Sequence, residues 1–100
     1  MENLEQKEGA TPEKKTAPKE FAVTVELPSG RTANIRDGKA KHAVNASRLI
    51  NGDQSKFISA MISELVEIDG KKVTFEDACG NMPLRDYTTL TITLGAENFI

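Results

Sequence analysis

Residues 65–74 read Leu-Val-Glu-Ile-Asp-Gly-Lys-Lys-Val-Thr. The Asp69-Gly70 pair in this stretch predicts a tight turn between two very short strands, because both residue types tolerate the backbone of a hairpin turn. Thr74 is a helix-capping residue type, and Asp77 three residues later makes an imperfect capping box. The stretch contains no catalytic constellation. It predicts a small folded module whose functional surface lies on helices, which favours binding over catalysis.

Two helices are predicted upstream of this stretch. Asp37 can cap a helix over residues 38–50, and Gly52 is available for a left-handed cap at its end. Asp53 can start a second helix that runs to about Val66 and carries the strongest helical periodicity in the chain. The apolar positions of that second helix are Phe57, Ile58, Met61, Ile62, Leu65 and Val66. The short link between the two helices predicts a helical hairpin.

Further upstream, apolar and polar residues alternate from Phe21 to Leu27, which is strand periodicity. Residues 28–31 are a turn signal, and residues 32–36 can return as a second strand to complete a β-hairpin. Residues 1–18 are polar, and we expect them to be a disordered tail. We therefore expect a single domain over residues 19–100.

Downstream, Pro83 suits the first turn of a last helix. Leu84, Tyr87, Leu90 and Leu94 follow a helical spacing. Residues 89–94 alternate strictly and are rich in β-branched residues, which leaves a strand open as an alternative for residues 88–94. The proline and the helical spacing favour the helix. The predicted fold is a small single α+β domain: an N-terminal β-hairpin, a helical pair, a short turn or hairpin, and a C-terminal helix.

Composition bounds the functional class. The chain has 100 residues, 38% of them hydrophobic, and a formal net charge of −2, which suits one domain with no overall pull towards nucleic acid or a membrane. The single cysteine, Cys79, forms no internal disulfide. The first eight residues contain no apolar run of a signal peptide, and no segment has the length of a membrane span. We expect the protein in the cytoplasm.

Catalysis and metal binding are both disfavoured. His42 and Cys79 are the one histidine and the one cysteine, and they lack the spacing of metal ligands. A nucleophilic cysteine needs an electropositive site, whereas Cys79 follows the acidic pair Glu76 and Asp77. The Gly-Lys pairs of the chain lack the glycine spacing of a phosphate-binding loop. We expect no enzyme and no cofactor.

Charge is polarised along the chain. Residues 31–48 carry five basic side chains and one acidic, whereas residues 53–77 carry six acidic and three basic. The basic patch consists of Arg31, Arg36, Lys39, Lys41 and Arg48. No aromatic residue is interleaved with it and no recognition-helix signature appears, so nucleic-acid binding is disfavoured. A solvated face that pairs with the acidic segment explains the patch better.

Together these features resemble a known family over about residues 20–95. The pattern consists of Leu27-x-x-Gly30-Arg31, two helices around Gly52-Asp53, then Phe57, Glu64-Leu65, Ile68-Asp69-Gly70-Lys71 and Leu84-x-Asp86-Tyr87-x-x-Leu90. It is similar to the small tail assembly chaperones of Mu-like and related tailed phages and prophages. The threonine-rich final helix departs from that pattern.

The resemblance implies a protein that keeps the long, helical tape measure protein soluble while tail tube subunits polymerise around it. The finished particle would lack this protein, and a longer frameshifted product can occur in that family. Other tail proteins and a second copy of the chain are further expected partners. The expected binding residues are Met82, Leu84, Tyr87, Leu90, Ile92 and Phe99. Two alternatives stay open, namely a structural tail or baseplate component and a small nucleic-acid-binding regulator.

Overall fold

A computed structural model of the chain describes residues 14–15 and 21–98. Its strands are β1 (Lys14–Lys15), β2 (Val23–Glu26), β3 (Thr32–Ile35), β4 (Val66–Ile68) and β5 (Lys71–Lys72). They form one sheet in the order β1-β2-β3-β4-β5, and every neighbouring pair is antiparallel. The predicted N-terminal hairpin supplies β2 and β3, and residues 65–74 supply β4 and β5.

The predicted turn between β4 and β5 is confirmed. Asp69 and Gly70 have φ angles of 52° and 82°, as a tight hairpin turn with two left-handed residues requires. The Asp69 N–H donates to the carbonyl oxygen of Thr32 at 2.8 Å. In return, the Thr32 N–H donates to the Asp69 carboxylate at 3.1 Å. These hydrogen bonds join the turn to the start of β3. The Asp69-Gly70 turn therefore also fixes the register between β3 and β4, which are distant in sequence.

The helices are α1 (Ala40–Ile50), α2 (Phe57–Leu65) and α3 (Leu84–Asn98), with a 3₁₀ turn at Gln54–Lys56 and a π-helical turn at Asp77–Asn81. The pair α1 and α2 confirms the predicted helical hairpin. The predicted cap at Thr74 is also confirmed, because its hydroxyl accepts from the Asp77 N–H at 3.1 Å.

Two predicted helix boundaries are wrong. The first helix begins at Ala40, and Asp37 does not cap it. Instead, the N–H of the preceding Lys39 donates to Nδ1 of His42 at 2.9 Å. The second predicted helix divides, because Asp53 caps the 3₁₀ turn through Ser55 and α2 begins only at Phe57. Val66 then opens β4, where it pairs with Ile35.

Residues 88–94 are helical, which confirms the favoured prediction. A strand would place Leu90, Ile92 and Leu94 on one face. In the helix, Leu90 and Leu94 are fully buried while Ile92 is 67% exposed. The hydroxyls of Thr89, Thr91 and Thr93 donate to the carbonyl oxygen four residues earlier at 3.0, 2.8 and 2.8 Å, so the threonines are accommodated.

The chain forms a small single α+β domain in which the helices cover one face of the sheet. The core joins both layers, and its largest fully buried apolar side chains are Ile35, Ile62, Leu65, Val66, Leu90 and Leu94. Most of the predicted tail, residues 1–18, lies outside the described residues. Its described part differs from the expectation, because Lys14 and Lys15 pair with Val25 and Thr24.

Candidate partner-binding surface on the last helix

The outward face of α3 presents two large aliphatic side chains to solvent. Leu84 is 76% and Ile92 67% exposed. They lie about 12 Å apart along the helix axis, at 1.5 Å per residue. Thr88 and Ala96, also exposed, continue the same row at four-residue spacing. We call Leu84, Thr88, Ile92 and Ala96 the outer stripe. A row with two exposed aliphatic side chains and two small ones is a surface that a partner helix can cover.

The opposite face of α3 belongs to the core. Asp86, Leu90 and Leu94 are buried, at the four-residue spacing that aligns them along the helix. Leu90 was predicted to bind a partner, and that prediction is wrong, because its side chain has no exposed area. Its contribution is to attach α3 to the rest of the domain.

A groove extends the outer stripe towards α2. It has a volume of about 420 Å³, and its lining includes Met82, Leu84, Tyr87, Cys79 and Ser59. Met82 and Tyr87 are partly buried against the core. The Tyr87 hydroxyl is hydrogen bonded to the Ser59 hydroxyl at 3.3 Å, which orients the ring. The structure therefore brings three of the predicted binding residues, Met82, Leu84 and Tyr87, into one groove.

The other three predicted binding residues lie in different places. Ile92 lies further along the outer stripe, Leu90 is in the core, and Phe99 lies outside the described residues. The sequence pattern did not separate these residues because all are large and apolar.

Two side chains anchor α3 at its ends. Asp86 is 1% exposed, and its carboxylate accepts from the Ser29 N–H at 3.1 Å and the Ser29 hydroxyl at 2.6 Å. The first turn of a helix also favours a carboxylate electrostatically. At the other end, the Asn98 side chain accepts from the Gly38 N–H and donates to the Leu94 carbonyl oxygen at 3.2 Å. The outer stripe is thereby presented on a helix held at both ends.

Asp86 is the positioning residue that sequence reasoning did not recognise as such. The available signal was a carboxylate in the first turn of a proline-initiated helix. Its partner, Ser29, is 57 residues away, so no local pattern links the two.

The predicted basic patch is distributed over separate elements. Arg31 and Arg36 flank opposite ends of β3, about 16 Å apart at the rise of a strand. Arg36 pairs with Glu67 at 3.3 Å and lies over the Phe21 ring at 4.6 Å. This ion pair agrees with the expected pairing of basic and acidic segments. The other three basic side chains are exposed. Lys39 precedes the first residue of α1, and Lys41 and Arg48 lie within that helix.

Among residues 21–98, no group of three or more His, Cys, Asp or Glu side chains is placed to hold a metal ion. His42 and Cys79 line different grooves. Asp53 is a perturbed titratable group, and its pKa is lowered first by the Ser55 hydroxyl and then by the Ser55 backbone amide. That carboxylate stabilises the 3₁₀ turn and lies outside the groove beside α3.

No helix in the described part of the chain combines the length and the apolarity needed to cross a membrane. Comparisons of the chain with protein-family models, curated proteins and solved structures find no match.

Proposed function

We propose that this protein is a non-enzymatic tail assembly chaperone of a tailed phage or prophage. In this proposal it acts in the cytoplasm of the bacterial host and binds the tape measure protein during tail morphogenesis. The observation that carries the proposal is the outer stripe, which presents Leu84 and Ile92 to solvent on an anchored helix. The resemblance over residues 20–95 supplies the identity of the partner.

The chemistry of the outer stripe fits a helical partner. An amphipathic helix laid against α3 contacts side chains at four-residue spacing, as helices in grooves do. Met82 and Tyr87 enlarge the contact at one end, and the flexible methionine side chain adapts to partners of varied sequence. A long tape measure protein offers many such segments.

The energetics favour a reversible contact. Burying Leu84 and Ile92 gives about 1.5–3 kcal/mol each. Association costs about 4–15 kcal/mol in lost translational and rotational freedom. A single contact at the outer stripe is therefore weak. Several copies of this protein would bind along one tape measure protein and together cover its apolar segments. A chaperone that is displaced by tail tube subunits requires this reversibility.

The test is co-expression with the tape measure protein encoded in the same genome neighbourhood, followed by a solubility assay and affinity pull-down. We expect the tape measure protein to become soluble and to co-purify. The double variant Leu84→Asp, Ile92→Asp removes both large aliphatic side chains of the outer stripe. It should abolish both the solubilisation and the co-purification of the tape measure protein. Val44→Asp is the matched control, because Val44 is 50% exposed on α1, and it should behave as the wild type.

Circular dichroism of each variant establishes that it is folded before the pull-down is compared. A folded wild-type protein that leaves the tape measure protein insoluble and unbound contradicts the proposal. Mass spectrometry of purified particles then tests the structural alternative, because a tail or baseplate component remains in the virion whereas a chaperone does not.

A further inference from the structure

A second groove lies beside the Asp69-Gly70 turn and has a volume of about 470 Å³. Its lining includes the apolar side chains Ile68, Val73 and Met82, which are buried or partly buried, and the exposed cations Arg31, Lys71 and Lys72. We call these six residues the cationic groove. An apolar floor with a basic rim suits an acidic segment that also carries an aliphatic side chain.

Two carboxylates in the lining are already engaged. Asp69 accepts from the Thr32 N–H at 3.1 Å, and Asp77 accepts from the Asn81 side chain at 3.0 Å. Within residues 21–98, neither carboxylate forms an ion pair with Arg31, Lys71 or Lys72. The cations of the groove are therefore available to an incoming carboxylate.

This chain contains a segment of the matching chemistry. Residues 1–13 carry four glutamates, one lysine and one leucine. Leu4 lies among Glu2, Glu5 and Glu8, so an aliphatic side chain is flanked by carboxylates on both sides.

The topology directs this segment towards the groove. Strand β1 is antiparallel to β2, with Lys14 opposite Val25 and Lys15 opposite Thr24. Lys14, the first described residue, therefore lies on the side of β1 that faces the Glu26 end of β2. Glu26 pairs with Thr32 across the sheet, and the Thr32 N–H is hydrogen bonded to the Asp69 carboxylate. Lys14, the residue to which residues 1–13 are attached, and the cationic groove thus lie at the same end of the sheet.

The segment is also long enough. Three strand spacings of about 4.8 Å separate β1 from β4, which amounts to about 14 Å. Leu4 lies ten residues before Lys14, and an extended chain of that length spans about 33 Å.

We propose that residues 1–13 dock intramolecularly in the cationic groove, with Leu4 on its apolar floor and the neighbouring glutamates on Arg31, Lys71 and Lys72. This contact uses a different groove from the one beside the outer stripe, and the two linings have Met82 in common. Its ionic part is weakened by salt, since the Debye length falls to about 3 Å at 1 M ionic strength.

Paramagnetic relaxation in the full chain tests the proposal. A nitroxide label is attached to Gly9→Cys in a Cys79→Ser background, and amide signals of the ¹⁵N-labelled protein are recorded. We expect the groove signals, those of Arg31, Lys71, Lys72 and Val73, to lose most of their intensity. In about 1 M NaCl they should recover, because the ionic contacts are screened. Unbroadened groove signals at low salt overturn the proposal.

Four further samples assign the contact. Lys71→Glu should restore the groove signals, whereas Lys41→Glu on α1 should leave them broadened. Leu4→Ser should restore them in part, and unchanged broadening in that variant overturns the docking of Leu4. The last sample mixes two proteins: one carries the nitroxide at natural isotope abundance, and the other is ¹⁵N-labelled without a nitroxide. The ¹⁵N signals of this mixture should show no broadening. Broadening in the mixture overturns the intramolecular assignment.

Discussion

At the scale of single residues, Asp86 joins the β2–β3 turn to the start of α3. Its carboxylate is buried, and both of its oxygens accept hydrogen bonds from Ser29. A buried carboxylate is stable only where such partners satisfy it. This contact explains how the first turn of α3, which carries Leu84, is held in place.

Asp86→Ala removes both bonds and leaves the Ser29 N–H without its acceptor. Hydrogen bonds to charged groups contribute about 1.5–3 kcal/mol, and we expect the free energy of unfolding to fall by that amount in urea denaturation. Glu76→Ala is the control. Glu76 is exposed, so its removal should change stability by less than about 0.5 kcal/mol. Equal effects of the two variants would contradict the assigned contact.

Asp53 gives a prediction about pH. The Ser55 hydroxyl and backbone amide lower its pKa below the ordinary 3.8, so the folded state favours the ionised carboxylate. Its stabilisation is present above about pH 3.8 and is lost as the pH falls through the folded pKa. Ser55→Ala should raise the pKa of Asp53 towards 3.8 in an NMR titration. Ser47→Ala, on α1, should leave it unchanged, and an unchanged pKa in Ser55→Ala would contradict this account.

At the scale of elements, α3 has one face for the core and one for solvent. Leu90 and Leu94 are fully buried on the first, while Leu84 and Ile92 are exposed on the second. The helical spacing of these leucines was readable from the sequence, because side chains four residues apart share a face. Which face is covered depends on how α3 packs against α2 and the sheet. The sequence pattern alone assigned Leu90 to the solvent face, whereas it lies on the core face.

The two faces should respond differently to truncation. Leu90→Ala leaves a cavity in the core and should lower the free energy of unfolding by about 2–5 kcal/mol. Ile92→Ala removes an exposed side chain and should change it by less than about 0.5 kcal/mol. Urea denaturation of both variants measures the difference. Comparable losses would show that Ile92 is covered in solution.

At the scale of the whole molecule, the Asp69-Gly70 turn connects the N-terminal hairpin to the helical half of the chain. Through Thr32 it fixes β4 beside β3, and β4 follows α2 directly. A change at this turn therefore acts on the sheet and on the helices packed against it.

Gly70→Ala tests this role. Gly70 has a φ of +82° with open space around it, so alanine adds backbone strain without a clash. The left-handed conformation costs a non-glycine residue about 1–2 kcal/mol, and we expect the midpoint of thermal unfolding to fall accordingly. Gly80→Ala is the matched control. Its added Cβ also meets nothing, and its φ is not positive, so stability should not fall. A drop of similar size in both variants would contradict the turn as the cause.

The sequence by itself determined the features that depend on neighbouring residues. The positive φ angles at Asp69 and Gly70, the cap at Thr74, the N-terminal hairpin and the helicity of α3 all follow from residue type and short spacing. Tertiary structure alone decided which apolar side chains of α3 stay exposed, because Leu84, Leu90 and Ile92 are chemically alike. It also placed Asp86 on Ser29 and Asn98 on Gly38, contacts across 57 and 60 residues. Such pairings depend on how the elements pack in space, which no local pattern encodes.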